Sequence, residues 1–212
     1  MGQIRKGASH SRLPDRAGAI IMHCTMHRVC VYCGSSFGNN PVFAEVAAEV
    51  GAKLARSGLG MVYGGGSIAD GRGADAALAQ GGEVIGVIPK KLVELEKEHR
   101  GVTRLIEVET MHERKQAMMD HADGFLVLPG GYGTLEELFE VLAWLQLGFH
   151  TKPVGLLNVA GYYDPLVKML DAMVENELLH PEHHALLLVD RDVEALLGRM
   201  MDFMVPDVSK WL

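Results

Sequence analysis

The stretch GFLVLPGGYGTLEELFEVLAWLQL, residues 124–147, decides the fold. Its first five residues, Gly124 to Leu128, form a short apolar run with no polar face, as in a strand covered on both sides. Pro129-Gly130-Gly131-Tyr132-Gly133 breaks that run, and from Thr134 to Leu147 apolar residues recur at helical spacing. Strand, glycine turn and helix together make half of a βαβ unit. The alternation extends outward in both directions. Six more apolar runs are Val29–Cys33, Gly60–Tyr63, Val84–Ile88, Leu105–Val108, Val154–Leu157 and Leu186–Val189. Helical stretches separate them: Pro41–Arg56, Ala69–Gln80, His112–His121, Tyr163–Glu177 and Asp192–Met201. Pro41 suits a first helical turn and Gly58 a stop. This order predicts an α/β protein, a doubly wound parallel sheet with helices on both faces and right-handed crossovers. Ligands in such sheets bind beyond the carboxyl ends of the strands.

The remaining composition narrows the class. A chain of 212 residues with 48% hydrophobic and 22% charged residues fits one globular domain. Residues 1–27 mix Gly, Ser, Arg and His without a period and are expected to be a flexible extension, with the domain at 28–212. A net charge of -7 disfavours non-specific nucleic-acid binding. No apolar stretch is long enough to cross a bilayer, and Ala17–Met22 is too short for a signal core, so no membrane partner is expected. Cys24, Cys30 and Cys33 are odd in number and share one segment, which points to a reducing cytoplasm rather than a disulfide framework. With His23 and His27 they could suggest a metal. The odd spacing of Cys30 and Cys33 in one strand sends them to opposite faces, and no second C-x-x-C exists, so no metal site is expected. His180, His183 and His184 fit a surface loop, and Met111, Met118 and Met119 fit packing positions.

Three glycine- or serine-rich turns follow strands: Gly34-Ser35-Ser36, Gly64-Gly65-Gly66-Ser67 and Pro129-Gly130-Gly131-Tyr132-Gly133-Thr134. Each can aim backbone N–H groups at an anion, and a helix start adds its positive dipole end. A tight turn without a ligand explains any one of them equally well, but three at one sheet edge favour a phosphate-bearing ligand. Neither G-x-G-x-x-G with a ribose acid nor a P-loop lysine is present, so NAD and ATP are poorly supported as cofactors.

Two carboxylates, Glu136 and Glu137, open the helix after the third turn. Ordinary dipole complementation explains one of them. On a helix the two diverge by about 100 degrees, so one can face solvent and the other a ligand. A carboxylate beside a phosphate nest makes sense where positive charge develops, as on a ribosyl oxocarbenium. Arg114, in Met111-His112-Glu113-Arg114-Lys115, lies 23 residues upstream of Glu137, one helix and one strand away. Its planar fork can bind phosphate or ribose, although a solvated basic turn is the commoner fate of an Arg-Lys pair.

Together these residues resemble the LOG (Lonely Guy) family of cytokinin riboside 5′-monophosphate phosphoribohydrolases, many of which carry a lysine decarboxylase label. The family signature P-G-G-x-G-T-x-x-E is matched by Pro129, Gly130, Gly131, Gly133, Thr134 and Glu137, and its R-K element by Arg114-Lys115. Cys33-Gly34-Ser35-Ser36 and Tyr63-Gly64-Gly65-Gly66 match its other loops, and the resemblance runs from about Arg28 to Leu197. It implies a Rossmann-like fold and a homodimer with the active site near the interface. It also implies hydrolysis of the N-glycosidic bond of adenosine 5′-monophosphate, plain or N6-modified, without metal, flavin or nicotinamide cofactor. Arg114 and Glu137 match the catalytic pair. Ser35, Ser36, Gly65, Gly66, Glu96, Lys115, Gly130, Gly131, Tyr132, Gly133, Thr134 and Glu136 are the expected substrate-binding residues. Ala143 stands where plant members often have a substrate-contacting Thr, which bears on base preference. A non-catalytic nucleotide or molybdenum-cofactor carrier on the same fold is the alternative. Decarboxylation would need a pyridoxal phosphate Schiff-base lysine, and no lysine stands in a persuasive place.

Overall fold

The computed structural model describes residues 26–36, 38–66, 71–93 and 98–205. Among these residues seven strands form one parallel sheet: β1 (Arg28–Tyr32), β2 (Gly60–Tyr63), β3 (Val84–Pro89), β4 (Arg104–Val108), β5 (Gly124–Val127), β6 (Val154–Leu157) and β7 (Leu187–Asp190). Their order is β4-β3-β2-β1-β5-β6-β7. The chain winds outward from β1 to β4, returns to place β5 beside β1, then winds the other way. The switch point therefore lies between β1 and β5, where Tyr32 pairs with Val127. The loops leaving these two strands emerge side by side, which is where a doubly wound sheet binds ligands.

All seven expected strands form, as do the six expected helices: α1 (Pro41–Arg56), α2 (Gly71–Ala79), α4 (Met111–Asp120), α5 (Tyr132–Gln146), α6 (Asp164–Glu175) and α8 (Val193–Met201). Three short elements were not expected: α3 (Lys90–Val93), a 3-10 turn at Val159–Gly161, and α7 (Pro181–His184). The last replaces part of the surface loop expected around His180, His183 and His184.

The core divides at the sheet. On one face Val29, Val31, Met61 and Leu126 pack under Val50 and Leu54 of α1, Ala74 of α2, and Leu196 and Met200 of α8. On the other, Cys30, Tyr32, Phe125 and Leu156 pack under Met118 of α4, Leu138 and Val141 of α5, and Leu170 of α6. The central strands are buried on both faces, which is why their sequences lack polar alternation. Cys30 and Cys33 do face opposite layers. Met118 and Met119 are core residues, but Met111 is exposed.

Residues 1–25 of the expected extension lie outside the described residues. Met26 is buried, and the His27 N–H donates to Asp123 Oδ2 at 2.8 Å, so these two residues, placed in the extension by the sequence, pack on the domain.

Candidate active site

The site is built where the chain leaves β1 and β5. The Gly34 N–H donates to the Pro129 carbonyl at 3.1 Å and ties the two loops together. This closeness demands glycine on both sides. A Cβ on Gly130 would lie 2.1 Å from Thr134 Oγ1 and 2.8 Å from the Gly34 nitrogen, and a Cβ on Gly34 would lie 3.3 Å from the Gly130 Cα. The loop feeds directly into α5, whose N-cap is Gly131 with no side-chain cap hydrogen bond. The first-turn N–H groups of a helix have no partner inside it. Here they are offered at an exposed segment, Gly131 to Gly133, with the positive end of a four-turn helix behind them.

These groups border a cleft of about 730 Å³ lined by Gly34, Ser35, Gly131–Thr134, Glu136, Glu137, Met111 and Arg114, with Cys33 at its base. A second open space adjoins it on the far side of the glycine loop, with Ser36, Asn39, Phe43, Gly130 and Tyr162 in its wall. Thr134 is buried and packs its hydroxyl against the loop.

Arg114 is brought in by α4. Thr110 caps that helix by accepting the Glu113 N–H at 3.1 Å, and the Glu113 carboxylate reaches back to the Glu109 N–H at 2.8 Å. Thr110-x-x-Glu113 is a capping-box signature readable in the sequence, and it marks where α4 starts. Arg114 itself is 91% buried. Nη2 donates to the Gly64 carbonyl at 2.7 Å and Nε to the Val87 carbonyl at 3.2 Å, while Nη1 lies 3.9 Å from Met111 Sδ. Met111, expected to be a packing residue, instead forms cleft wall beside the guanidinium.

Glu137 is half-buried on the second turn of α5, not the first as expected, because the helix begins at Tyr132 rather than Thr134. It shares with Arg114 both the cleft and a small void beneath it, between Tyr32, Gly64 and Met118. Its charge is felt in the core below. Burial pushes the Cys30 thiol and the Tyr32 hydroxyl well up, and the Glu137 carboxylate pushes both further. Glu136, a third of a turn away, is exposed and pairs with Lys115. Lys115 also reaches Glu140 at 2.9 Å, bracing α4 against α5. Burial opposes the Lys115 charge, but the hydrogen bonds it donates to the two glutamates outweigh burial and raise the pKa.

Ten of the expected residues therefore surround the glycine loop: Arg114, Glu137, Ser35, Ser36, Gly130, Gly131, Tyr132, Gly133, Thr134 and Glu136. Lys115 points to the two glutamates. Gly65 and Gly66 are buried in a different arrangement, with the His99 N–H donating to the Gly65 carbonyl at 3.1 Å and Gly66 bridging Glu98. Glu96 and Ser67 lie outside the described residues. Two site neighbours were missed, Tyr162 and Tyr163. The Tyr162 hydroxyl donates to the Gly130 carbonyl and the Tyr163 hydroxyl to the Leu128 carbonyl, each at 2.7 Å.

Fold and cleft together define a Rossmann-like α/β protein with a cleft at its switch point. Among solved structures, the molybdenum cofactor binding protein of Rippkaea orientalis superposes with a TM-score of 0.64 at 21% identity, over 83% of this chain and 96% of that one. The molybdenum cofactor carrier protein of Chlamydomonas reinhardtii does so at 0.63 and 20%, over 84% and 99%. At these identities the likeness is one of fold alone. Sequence relatives are much nearer. Residues 71–200 match the family model described as "Possible lysine decarboxylase". The chain is 44% identical over 177 residues to the cytokinin riboside 5′-monophosphate phosphoribohydrolase LOG1 of Arabidopsis thaliana, covering 83% of each chain. It is 43% identical over 201 residues to the probable enzyme of the same name, LOGL9, of Oryza sativa subsp. japonica, covering 92% of this chain and 88% of that one. The chain belongs to this LOG family of cytokinin riboside 5′-monophosphate phosphoribohydrolases.

Proposed function

We propose that this protein is an N-glycosidase that cleaves a nucleoside 5′-monophosphate, adenylate or its N6-modified form, into free base and ribose 5-phosphate. The observation that carries the reading is the meeting of Glu137 and Arg114 in one cleft with the amide-presenting turn at Gly131. The turn binds the 5′-phosphate. Its peptide N–H groups and helix dipole are fixed before the ligand arrives and need no reorganisation. Binding energy from the phosphate, remote from the bond that breaks, positions the ribose over Glu137.

As the C1′–N9 bond lengthens, its electron pair leaves with the base and positive charge grows on the ribose. The Glu137 carboxylate offsets that charge and orients the water whose oxygen bonds to C1′. The water gives up one proton, and the departing base takes one up. Arg114, held by two backbone carbonyls, keeps a fixed cation beside the anionic sugar phosphate. A carrier would have no use for a carboxylate held beside the ribose. Decarboxylation through a Schiff base would need a lysine of lowered pKa, whereas Lys115, the lysine nearest the cleft's acids, is shifted the other way.

The test is to incubate purified protein with AMP and separate the products by chromatography. Free adenine and ribose 5-phosphate are expected in equal amounts. Binding of AMP without release of adenine would support the carrier reading instead. Comparing kcat/KM for AMP and isopentenyladenosine monophosphate fixes the base preference.

We further assign the enzyme to a homodimer, with a second copy covering the apolar side of α5 where Phe139 and Leu147 are exposed. Sedimentation gives the oligomeric state. The odd count of cysteines in one short segment, Cys24, Cys30 and Cys33, supports a reducing, cytoplasmic setting. No described helix is long and apolar enough to cross a membrane.

A further inference from the structure

Three consecutive carbonyls at the glycine loop each accept a hydrogen bond from another part of the fold. Leu128 accepts from the Tyr163 hydroxyl at 2.7 Å, Pro129 from the Gly34 N–H at 3.1 Å, and Gly130 from the Tyr162 hydroxyl at 2.7 Å. The Gly131 carbonyl is taken by the Leu135 N–H at 3.1 Å inside α5. A trans peptide is planar, with its C=O and N–H pointing opposite ways. Drawing the Gly130 carbonyl toward Tyr162 therefore turns the Gly131 N–H away from Tyr162. Gly130 and Tyr162 line the space on one side of the loop, whereas Gly131 also lines the cleft with Arg114 and Glu137.

The direction of this one peptide matters because nothing in its own sequence fixes it. Both flanking residues are glycine, which tolerates φ on either side of zero. A flipped Gly130–Gly131 peptide would put a carbonyl dipole where a phosphate is to sit. Leu128 and Pro129 are held by a buried hydroxyl and by a backbone donor. The Gly130 carbonyl depends on a hydroxyl from a different loop.

That loop is shaped for the purpose. Ala160 and Gly161 both have positive φ, at 50° and 75°. An alanine in that region is strained and persists only where its surroundings hold it. The surroundings here are polar. Buried Asn158 accepts the Tyr163 N–H at 2.8 Å and donates to Asp164 Oδ1 at 2.6 Å, and its own N–H is held by the Asp190 carbonyl at 2.7 Å. The Tyr162 ring lies edge-on to Phe43 at 5.5 Å and to Tyr163 at 4.9 Å, so its hydroxyl has a defined position.

We infer that Tyr162 is a positioning residue for phosphate recognition: its hydroxyl locks the Gly130–Gly131 peptide with the N–H facing the phosphate. The inference rests on the proposed assignment of the glycine loop as the phosphate site.

The test is Tyr162→Phe, which removes one oxygen and leaves the ring contacts. Affinity is read by calorimetry with ribose 5-phosphate and with adenosine, and AMP turnover is measured separately. A lost hydrogen bond of this kind should weaken ribose 5-phosphate about five- to tenfold. Adenosine binding should stay within about twofold, and the AMP KM should rise more than kcat falls. Phe43→Leu, which loosens the ring but keeps the hydroxyl, should give the same selectivity at smaller amplitude. Unchanged ribose 5-phosphate affinity in Tyr162→Phe overturns the lock even if the wild type cleaves AMP. Equal weakening of adenosine overturns it too, since that is what general loosening would do. A wild type that binds ribose 5-phosphate tightly but never cleaves AMP sinks the N-glycosidase reading and leaves the lock standing on its binding data. A wild type that binds no ribose 5-phosphate refutes both.

Discussion

Two glycine loops in this molecule look alike in sequence and present opposite faces of the backbone. The loop after β5, Leu128 to Gly131, has the Leu128, Pro129 and Gly130 carbonyls tied back by Tyr163, Gly34 and Tyr162, which would leave its N–H groups to face the cleft. The loop after β2, Gly64-Gly65-Gly66, offers carbonyls: Gly64 to the Arg114 guanidinium at 2.7 Å and Gly65 to the His99 N–H. One arrangement suits an anion and the other holds a cation. Glycine after a parallel strand therefore announces close backbone approach, not the charge of what is approached. That sign is set by which partners take the other half of each peptide.

The largest effects should fall on the two side chains held between these loops. Glu137→Gln keeps the shape and removes the charge. We expect kcat to fall about 100- to 1000-fold while AMP affinity changes by less than about threefold. Near-normal turnover in steady-state kinetics would take Glu137 out of the mechanism. Arg114→Ala should weaken both kcat and KM. Arg114→Lys is the sharper probe, because an ammonium cannot reproduce a planar fork spanning the Gly64 and Val87 carbonyls. A drop of about tenfold or more in kcat/KM is expected, and full activity would show that only the positive charge matters.

The comparison itself can be broken with one methyl group in each loop. Gly130→Ala places a Cβ 2.1 Å from Thr134 Oγ1. The loop must move, so ribose 5-phosphate affinity should fall at least about tenfold, with about 1–3 kcal/mol of stability lost to overpacking. Gly65→Ala is strained for another reason. Its φ is +77°, and the new Cβ would lie 3.1 Å from Ile88 Cβ and 3.2 Å from the Val87 nitrogen. A similar loss of about 1–2 kcal/mol is expected from the left-handed backbone alone. Its kinetic signature should differ: Arg114 shifts through Gly64 and Val87, so kcat falls while ribose 5-phosphate still binds. If both variants lose phosphate binding equally, the two loops are not the separate anion and cation holders described above.

How far the sequence foretold this follows from the same contrast. Parallel strands buried on both faces are apolar throughout, and helices such as Pro41–Arg56 carry their own caps, so the alternation of elements was readable locally. Arg114 and Glu137 were readable as candidates because each lies within the first two turns of a helix that follows a strand end. Gly65 and Gly66 were expected at the ligand, but their carbonyl role depends on His99 and Arg114, which lie more than 30 residues away. Tyr162 and Tyr163 gave no local signal, because a tyrosine pair after β6 reads as packing until the fold sets it beside Gly130. Lys115 looked like a ligand-facing cation until α5 brought Glu136 and Glu140 against it.

The smallest effect should come from the buttress behind the loop proposed to hold the phosphate. Asp164 accepts from Asn158 at 2.6 Å and from Arg191 at 3.2 Å, on the turn that carries Tyr162 and Tyr163. The Asn158 hydrogen bond holds its carboxyl below the ordinary range; burial opposes this, and Arg191 adds to the lowering. A carboxylate with a depressed folded-state pKa stabilises the fold fully above its unfolded value and loses that contribution as pH falls through the folded one. Asp164→Asn cannot titrate, so its Tm deficit against wild type should be present at pH 7 and close as pH falls below the ordinary carboxylate range. Asp164 and Arg191 are both solvent-exposed, so the deficit should be modest and should narrow in high salt. Ribose 5-phosphate affinity should change by less than about twofold, because the tyrosine hydroxyls remain in reach of their carbonyls. A deficit that persists unchanged into acid would mean that the carboxylate's shape, and not its charge, holds the turn.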